Sequence, residues 1–103
     1  MMTKVKVKTV IVRTYAMGVF MGELQPESTE TVKVLHNARR IWYWSGASSL
    51  SELAVKGTSK PKDCKFPVPV PRVELTSPQG FEILDVTDEA KKSIESVEIW
   101  TSF

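Results

Sequence analysis

The sequence contains little of what metal sites, disulfide-rich domains and nucleophilic enzymes require. Among its 103 residues there is one cysteine, Cys64, and one histidine, His36. A single cysteine forms no intramolecular disulfide, which excludes a disulfide-stabilised scaffold and favours a cytosolic chain. One histidine and one cysteine also cannot supply the three or four ligands of a zinc site. We therefore expect neither a structural disulfide nor a metal centre.

Glycine-rich phosphate loops, long apolar runs and a catalytic base are missing as well. The sequence has no Gly-x-Gly-x-x-Gly or Walker-type motif, and no run approaches the 18 apolar residues of a membrane-spanning helix. His36 alternates with Val32 and Val34, which favours a structural or surface histidine over a general base. We predict a non-catalytic protein without a cofactor and without a membrane span.

Charge is uneven along the chain. Residues 1–22 carry four basic and no acidic side chains, whereas residues 74–103 carry two lysines and seven acids. The formal net charge is only +2. The basic first part can attract an anionic ligand, but a dense basic stripe is lacking, so duplex DNA is not an expected partner.

Alternating and β-branched residues predict strands over residues 4–15, 19–24, 31–36, 37–44, 66–75 and 81–86, with a further short strand at 97–100. The stretches 31–36 and 37–44 are either two strands or one continuous bent strand. Gly22 marks a bulge or a close approach, and the prolines at 67, 69 and 71 place their segment at a sheet edge. Ser49 and Thr87 are N-caps of two short helices, the first of which ends at Gly57. The predicted fold is a single β-rich α+β domain over residues 1–103, a small half-open antiparallel barrel of SH3-like or Sm-like kind with five to six strands.

Aromatic and basic side chains crowd residues 37–45, which hold two arginines, two tryptophans and a tyrosine. Tryptophan and tyrosine can stack on a base, and arginine can donate to a phosphate. Strand alternation places Arg39, Ile41 and Tyr43 on one face, and the opposite face holds Arg40, Trp42 and Trp44. If the first set faces the core, Arg39 needs an acid partner such as Asp85 or Glu74. The competing interpretation is that the tryptophans are core residues of a small barrel.

Several motifs give the chain a family resemblance. Arg13-Thr14-Tyr15, Gly22-Glu23-Leu24, the run from Asn37 to Ala47, and Ser49-Leu50-Ser51-Glu52-Leu53-Ala54 resemble a group of small tailed-phage proteins known only as a domain of unknown function. The resemblance extends from residue 10 to residue 100. The group in turn is similar to phage sponge proteins that sequester the cyclic oligonucleotide signals of CBASS defence.

That resemblance implies an immune-evasion protein of the host cytoplasm, a dimer or tetramer that binds a cyclic dinucleotide or trinucleotide without cleaving it. It implies stacking by Tyr15, Trp42 or Trp44 and phosphate contacts by Arg13, Arg39 or Arg40. It also implies polar contacts to base edges by Asn37, Ser45 or Thr58. A pocket of about 300 Å³ or more is difficult to enclose in so small a chain, which also favours a ligand held between two copies.

Two other functions fit the same residues. One is a phage accessory protein that binds and inhibits a host protein. The other is an Sm-like binder of single-stranded nucleic acid, suggested by a Gly-x-x-x-Gly-x-Leu hairpin at residues 18–24 and a later asparagine on a strand.

Overall fold

A computed structural model describes residues 7–101 and shows one five-stranded antiparallel sheet with two short helices. The strand order is β4-β3-β2-β1-β5. The strands are β1 (Thr9–Thr14), β2 (Val19–Leu24), β3 (Val32–Arg40), β4 (Val70–Thr76) and β5 (Phe81–Asp85). The helices are α1 (Leu50–Lys56) and α2 (Asp88–Ser96), and a 3-10 turn spans Pro61–Asp63.

The sheet curls, and its two edge strands approach each other at one end. β4 and β5 lie at opposite edges, yet a turn in which Gly80 donates to the Ser77 carbonyl at 3.1 Å joins them. On the same side, the Thr76 amide donates to the Met17 sulfur in the β1–β2 loop. No ladder pairs β4 with β5 among the described strands, so the predicted β-rich α+β fold is confirmed as a half-open sheet rather than a closed barrel.

Apolar residues are buried on both faces of the sheet because β1 and β2 alternate between two clusters. Facing the helices, a cluster contains Ile11, Met21, Leu53, Phe66 and Ile94. Within the curl, a second cluster contains Val10, Val12, Phe20, Leu35 and Leu75. Because β1 is buried on both faces, its residues 10–12 form a continuous apolar run and do not alternate with polar residues.

Both predicted helix starts are confirmed. Ser49 Oγ accepts from the Glu52 amide at 3.1 Å, and Thr87 Oγ1 accepts from the Ala90 amide at 3.0 Å. Each bond satisfies an amide that has no partner within its own helix. Gly57 ends α1 with a φ of 77°, where a Cβ would lie 2.3 Å from that of Ser93. The apolar side chains that the helices and the residue after α2 bury are Leu50, Leu53, Ala54, Ala90, Ile94 and Val97.

Of the two alternatives predicted for residues 31–44, the structure has one bent strand, β3, which is shorter than expected. β3 ends at Arg40 and contains a bulge, because Asn37 has a φ of 50° and the register shifts opposite Gly22. A Cβ on Gly22 would lie 3.0 Å from that of Leu35, which is the predicted close approach. After Arg40 the alternation fails, since the amides of Trp42 and Tyr43 both donate to the Lys65 carbonyl.

Other strand boundaries differ in smaller ways. β1 begins at Thr9, and the predicted strand residues 4–6 lie outside the described part of the chain. β4 is an edge strand as predicted, although it begins only at Val70. The predicted strand at 97–100 is reduced to a parallel bridge between Phe66 and Ile99. No helix within residues 7–101 is long and apolar enough to cross a membrane. That residues 1–103 form a single domain stays a prediction.

Candidate functional site

Three backbone segments lie side by side next to the helix-facing core. Tyr43 and Lys65 form an antiparallel bridge in which the Lys65 amide donates to the Tyr43 carbonyl at 2.8 Å. The Trp100 amide donates to the Phe66 carbonyl at 3.0 Å on the other side. Successive side chains of extended backbone point to opposite sides, so buried Phe66 leaves Lys65 on the outer surface. This alternation directs the Lys65 side chain to the outer surface, where the candidate site lies.

On that surface, one lysine lies over two aromatic rings. The Lys65 ammonium is 5.9 Å from the centre of the Tyr43 ring and 5.6 Å from the centre of the Trp100 ring. Both distances are within the roughly 6 Å reach of a cation–π interaction. Within residues 7–101, no hydrogen bond or ion pair engages this ammonium. Its charge is therefore available to an anion that approaches the rings.

Two adjoining clefts extend from these rings. One, of about 560 Å³, is lined by Tyr43, Ser45, Lys62 and Trp100 among others. The second, of about 660 Å³, is lined by Glu98, Ile99 and again by Lys62 and Trp100. We call the surface formed by Tyr43, Lys62, Lys65 and Trp100 the Lys65 groove. Volumes of this size match those of small-molecule sites in proteins.

The segment beside the groove is basic. Residues 56–65 contain four lysines and a single acid, Asp63. The 3-10 turn Pro61–Asp63 and the bridge at Lys65 hold two of these lysines, Lys62 and Lys65, at the groove. Such a cluster attracts anions, whereas the acids Asp63 and Glu98 at the same clefts limit the net positive charge. The arrangement can stack a planar ring and neutralise a phosphate.

Arg39, a predicted phosphate ligand, is a core residue. Its side chain lies against the Phe66 ring, and the residue is only 4% exposed. The guanidinium donates to the carbonyls of Ile94 and Val97 at 2.9 and 2.7 Å, and to those of Phe66 and Pro67 at 3.1 and 3.2 Å. Burial lowers the pKa of Arg39, and the nearby Glu95 carboxylate partly opposes that shift. With its donors directed at carbonyls, Arg39 has no free face for a ligand.

The expectation that a buried Arg39 needs an acid such as Asp85 or Glu74 is wrong. Asp85 pairs with Lys8 at 3.0 Å, and Glu74 pairs with Arg72 at 2.8 Å. Carbonyl oxygens at the end of α2 replace the acid, since the last carbonyls of a helix lack partners and carry partial negative charge.

The neighbouring candidates in residues 37–44 point in different directions. Arg40 lies 4.2 Å from the centre of the Phe20 ring and donates to the Met17 carbonyl, on the opposite sheet face from Arg39. Asn37, at the bulge, donates to Glu23 at 3.0 Å. Trp42 is 63% exposed, whereas Trp44 packs against the helix-facing core.

The remaining candidates fall into separate places. Arg13 and Tyr15 line a cleft of about 380 Å³ with residues 79–82, where Arg13 lies 3.7 Å from Glu82. Ser45 is at the Lys65 groove. Thr58 donates to the Ser45 carbonyl and accepts from the Lys60 amide at 2.9 Å, so its hydroxyl is used within the loop. The nine predicted residues thus do not converge on one pocket.

Sequence reasoning missed most of the Lys65 groove. Tyr43 was placed on the opposite face from Trp42, and Lys62, Lys65 and Trp100 were not considered as site residues. A signal was present: Lys65 lies between the apolar Cys64 and Phe66, which indicates an exposed lysine on extended backbone. Nothing local in the sequence indicates that Trp100 lies beside it.

Comparison with known proteins places the chain in a family. A family described as a domain of unknown function (DUF6948) matches residues 7–94. The chain belongs to this family. The resemblance to a family of unknown function is confirmed at that level. No curated protein and no solved structure matches the chain. Among residues 7–101, no group of three or more His, Cys, Asp or Glu side chains is placed to hold a metal ion.

Proposed function

We propose that this DUF6948 protein binds a cyclic oligonucleotide in the Lys65 groove and sequesters it without cleavage, as a phage sponge against CBASS signals in the host cytoplasm. The observation that carries the proposal is the Lys65 ammonium, shared by the Tyr43 and Trp100 rings and free of an acid partner within the described residues. A nucleotide is a planar ring joined to an anion. Two rings next to a free cation complement both parts.

Magnitudes support a useful affinity. A base stacked on an aromatic side chain contributes about 1–3 kcal/mol. Two stacked bases therefore contribute about 2–6 kcal/mol, which raises affinity by roughly one to four powers of ten. Phosphate contacts from Lys62 and Lys65 add to this. The groove holds neither a histidine nor a metal-binding cluster, and the proposal therefore includes binding but no hydrolysis.

The open shape of the groove favours a ligand enclosed by two copies of the chain. Both clefts are surface depressions, and their linings include the exposed side chains of Tyr43 and Ile99. A second copy placed over these side chains would cover the ligand and the exposed rings together. The sponge is accordingly proposed as a homo-oligomer, a dimer or a tetramer.

A second function is favoured by Trp42. This side chain is 63% exposed and adjoins Tyr43, which is 53% exposed. Exposed tryptophan and tyrosine are the residues that most often anchor protein interfaces. An inhibitor that docks on a host protein would use Trp42 and Tyr43 as anchors without a nucleotide.

The deciding experiment compares two tyrosines of the same chain. Binding of cyclic dinucleotides, cyclic trinucleotides and short single strands is measured by thermal shift and calorimetry for the native protein, Tyr43→Ala and Tyr15→Ala. Tyr15 is 82% exposed and lines the separate cleft at residues 79–82, so its loss is the matched control. We expect one cyclic nucleotide to bind, to weaken at least tenfold in Tyr43→Ala, and to bind normally in Tyr15→Ala.

The alternatives give different results. Recovery of the nucleotide intact after denaturation supports sequestration, whereas turnover contradicts it. Binding of single strands alone, with a steep loss on added salt, would assign the groove to nucleic acid instead. Equal weakening by both substitutions would remove the Lys65 groove as the site. If none of the tested nucleotides and single strands binds, the nucleotide proposal is rejected and the Trp42 interface remains as the function to test.

A further inference from the structure

The outer edge of β5 is an unpaired strand. β5 pairs with β1 on one side, and within residues 7–101 no strand pairs with it on the other. The Val86 amide donates to the Thr9 carbonyl, and hydrogen-bonded pairs alternate along an antiparallel ladder. The backbone groups of Glu82 and Leu84 therefore face β1. Those of Phe81, Ile83 and Asp85 face outward.

The other edge strand, β4, differs from β5 because its side chains and prolines oppose pairing with a further strand. β4 carries Arg72 hydrogen-bonded to Glu74 and close to Glu27, and its outward Thr76 amide is taken by Met17. Charged side chains and prolines on an edge discourage pairing with another chain, and Pro69 and Pro71 lie at the start of β4. β5 contains no proline, its two acids Glu82 and Asp85 pair with Arg13 and Lys8, and exposed Ile83 lies at its centre.

We infer that β5 is a docking surface for a second copy of this chain, which adds its own β5 antiparallel across a two-fold axis at Ile83. In this register Ile83 lies opposite the partner's Ile83, and Phe81 lies opposite the partner's Asp85. No like charges meet, because Glu82 lies opposite the partner's Leu84. An isologous contact of this kind closes after two chains and does not propagate.

Charge complementarity supports the same occupant. The Lys33 ammonium lies 5.3 Å from the centre of the Phe81 ring. The partner's Asp85 would be placed beside this ring, which brings a carboxylate towards Lys33, and the two-fold axis repeats the contact. In each chain Asp85 also pairs with Lys8 and Lys33 donates to the Thr29 carbonyl, so the added attraction is exposed and screened by solvent. The interface is short, since β5 has five residues, and the dimer is therefore expected to dissociate on dilution.

The test uses two edge residues of equal exposure. Ile83 on β5 and Val70 on β4 are both 38% exposed. Mass is measured without nucleotide, so that no ligand is held between two grooves, by light scattering and sedimentation over a dilution series for the native chain, Ile83→Lys and Val70→Lys. We expect the native chain and Val70→Lys to rise from 11.6 kDa to twice that mass with concentration. Ile83→Lys should stay monomeric because two lysines would meet at the axis.

Amide exchange in the native chain covers the case in which Ile83→Lys fails to fold. The Ile83 amide should become at least tenfold more protected at concentrations where the dimer forms, whereas the outward Glu74 amide should not change. A monomer at every concentration would overturn the inference. So would a dimer that survives Ile83→Lys, or one that forms without protecting the Ile83 amide. This dimer does not depend on the nucleotide proposal, and each can fail alone.

Discussion

Two cation–aromatic groups occupy opposite sides of the backbone around residues 65–66, and they differ in what the cation does. Arg39 lies inside, 5.5 Å from the centre of the Phe66 ring, and its guanidinium donates to four carbonyl oxygens. Lys65 lies outside over Tyr43 and Trp100, and within residues 7–101 its ammonium has no hydrogen-bonded partner. The inner cation is committed to the fold. The outer one remains available to a ligand.

The comparison shows why a side chain's type does not determine its role. A buried guanidinium needs partners for its N–H groups, and the end of α2 together with residues 66–67 supplies them. The Lys65 ammonium lies at the surface over exposed Tyr43 and half-buried Trp100, where water can solvate it, and it needs no such partners. We therefore expect substitutions in the Arg39 group to lower the free energy of unfolding. Substitutions in the Lys65 group should weaken ligand binding with little change in stability.

The largest expected loss of stability follows substitution of Arg39, the cation of the inner group. Arg39→Ala removes a donor from four carbonyl oxygens and opens a cavity against Phe66. The Phe66 and Ile94 carbonyls keep donors from the Trp100 and Val97 amides, whereas those of Val97 and Pro67 lose the donor that Arg39 supplies. We expect the free energy of unfolding to fall by about 2–5 kcal/mol, because a buried carbonyl left without a donor costs about 1–3 kcal/mol and the cavity adds to that loss. Urea unfolding followed by circular dichroism measures this. A loss below about 1 kcal/mol would mean that these bonds do not hold α2 to the sheet.

The adjacent arginine provides the next comparison. Arg40 is only partly buried, lies over the Phe20 ring and donates to one carbonyl, that of Met17. Arg40→Ala should cost about 1 kcal/mol, the sum expected for a partly exposed cation–π contact and one charged hydrogen bond after solvent screening. Measured under identical conditions, a loss as large as that of Arg39→Ala would contradict the distinction between the two arginines.

The smallest effect on stability is expected in the outer group. Lys65→Ala removes an exposed charge and should change the free energy of unfolding by less than about 0.5 kcal/mol. Binding of the nucleotide found for the native chain should nevertheless weaken at least tenfold in calorimetry. Lys92→Ala, on the exposed side of α2, is the control and should leave both quantities unchanged. Unaltered binding in Lys65→Ala would show that its charge does not contact the ligand.

Much of the fold could be predicted from local patterns. Ser49 and Thr87 begin helices because their hydroxyls cap free amides, and Gly57 ends one because its positive φ disfavours a side chain. The candidate site was predicted less well. The faces predicted for the side chains of residues 41–44 depended on continued strand alternation. β3 instead ends at Arg40, and hydrogen bonds to Lys65 determine the directions of the later side chains.

The sequence by itself determined the local elements, the absence of an intramolecular disulfide, and the concentration of aromatic and basic residues at the end of β3 and directly after it. These depend on interactions within a few positions of the chain or on composition. The tertiary structure alone decided that Arg39 holds the end of α2 and that Trp100 lies beside Lys65. Those contacts join residues 55 and 58 positions apart, in the case of Arg39 with Ile94 and Val97. No local preference encodes such distances, because they arise only when the helices pack on the sheet.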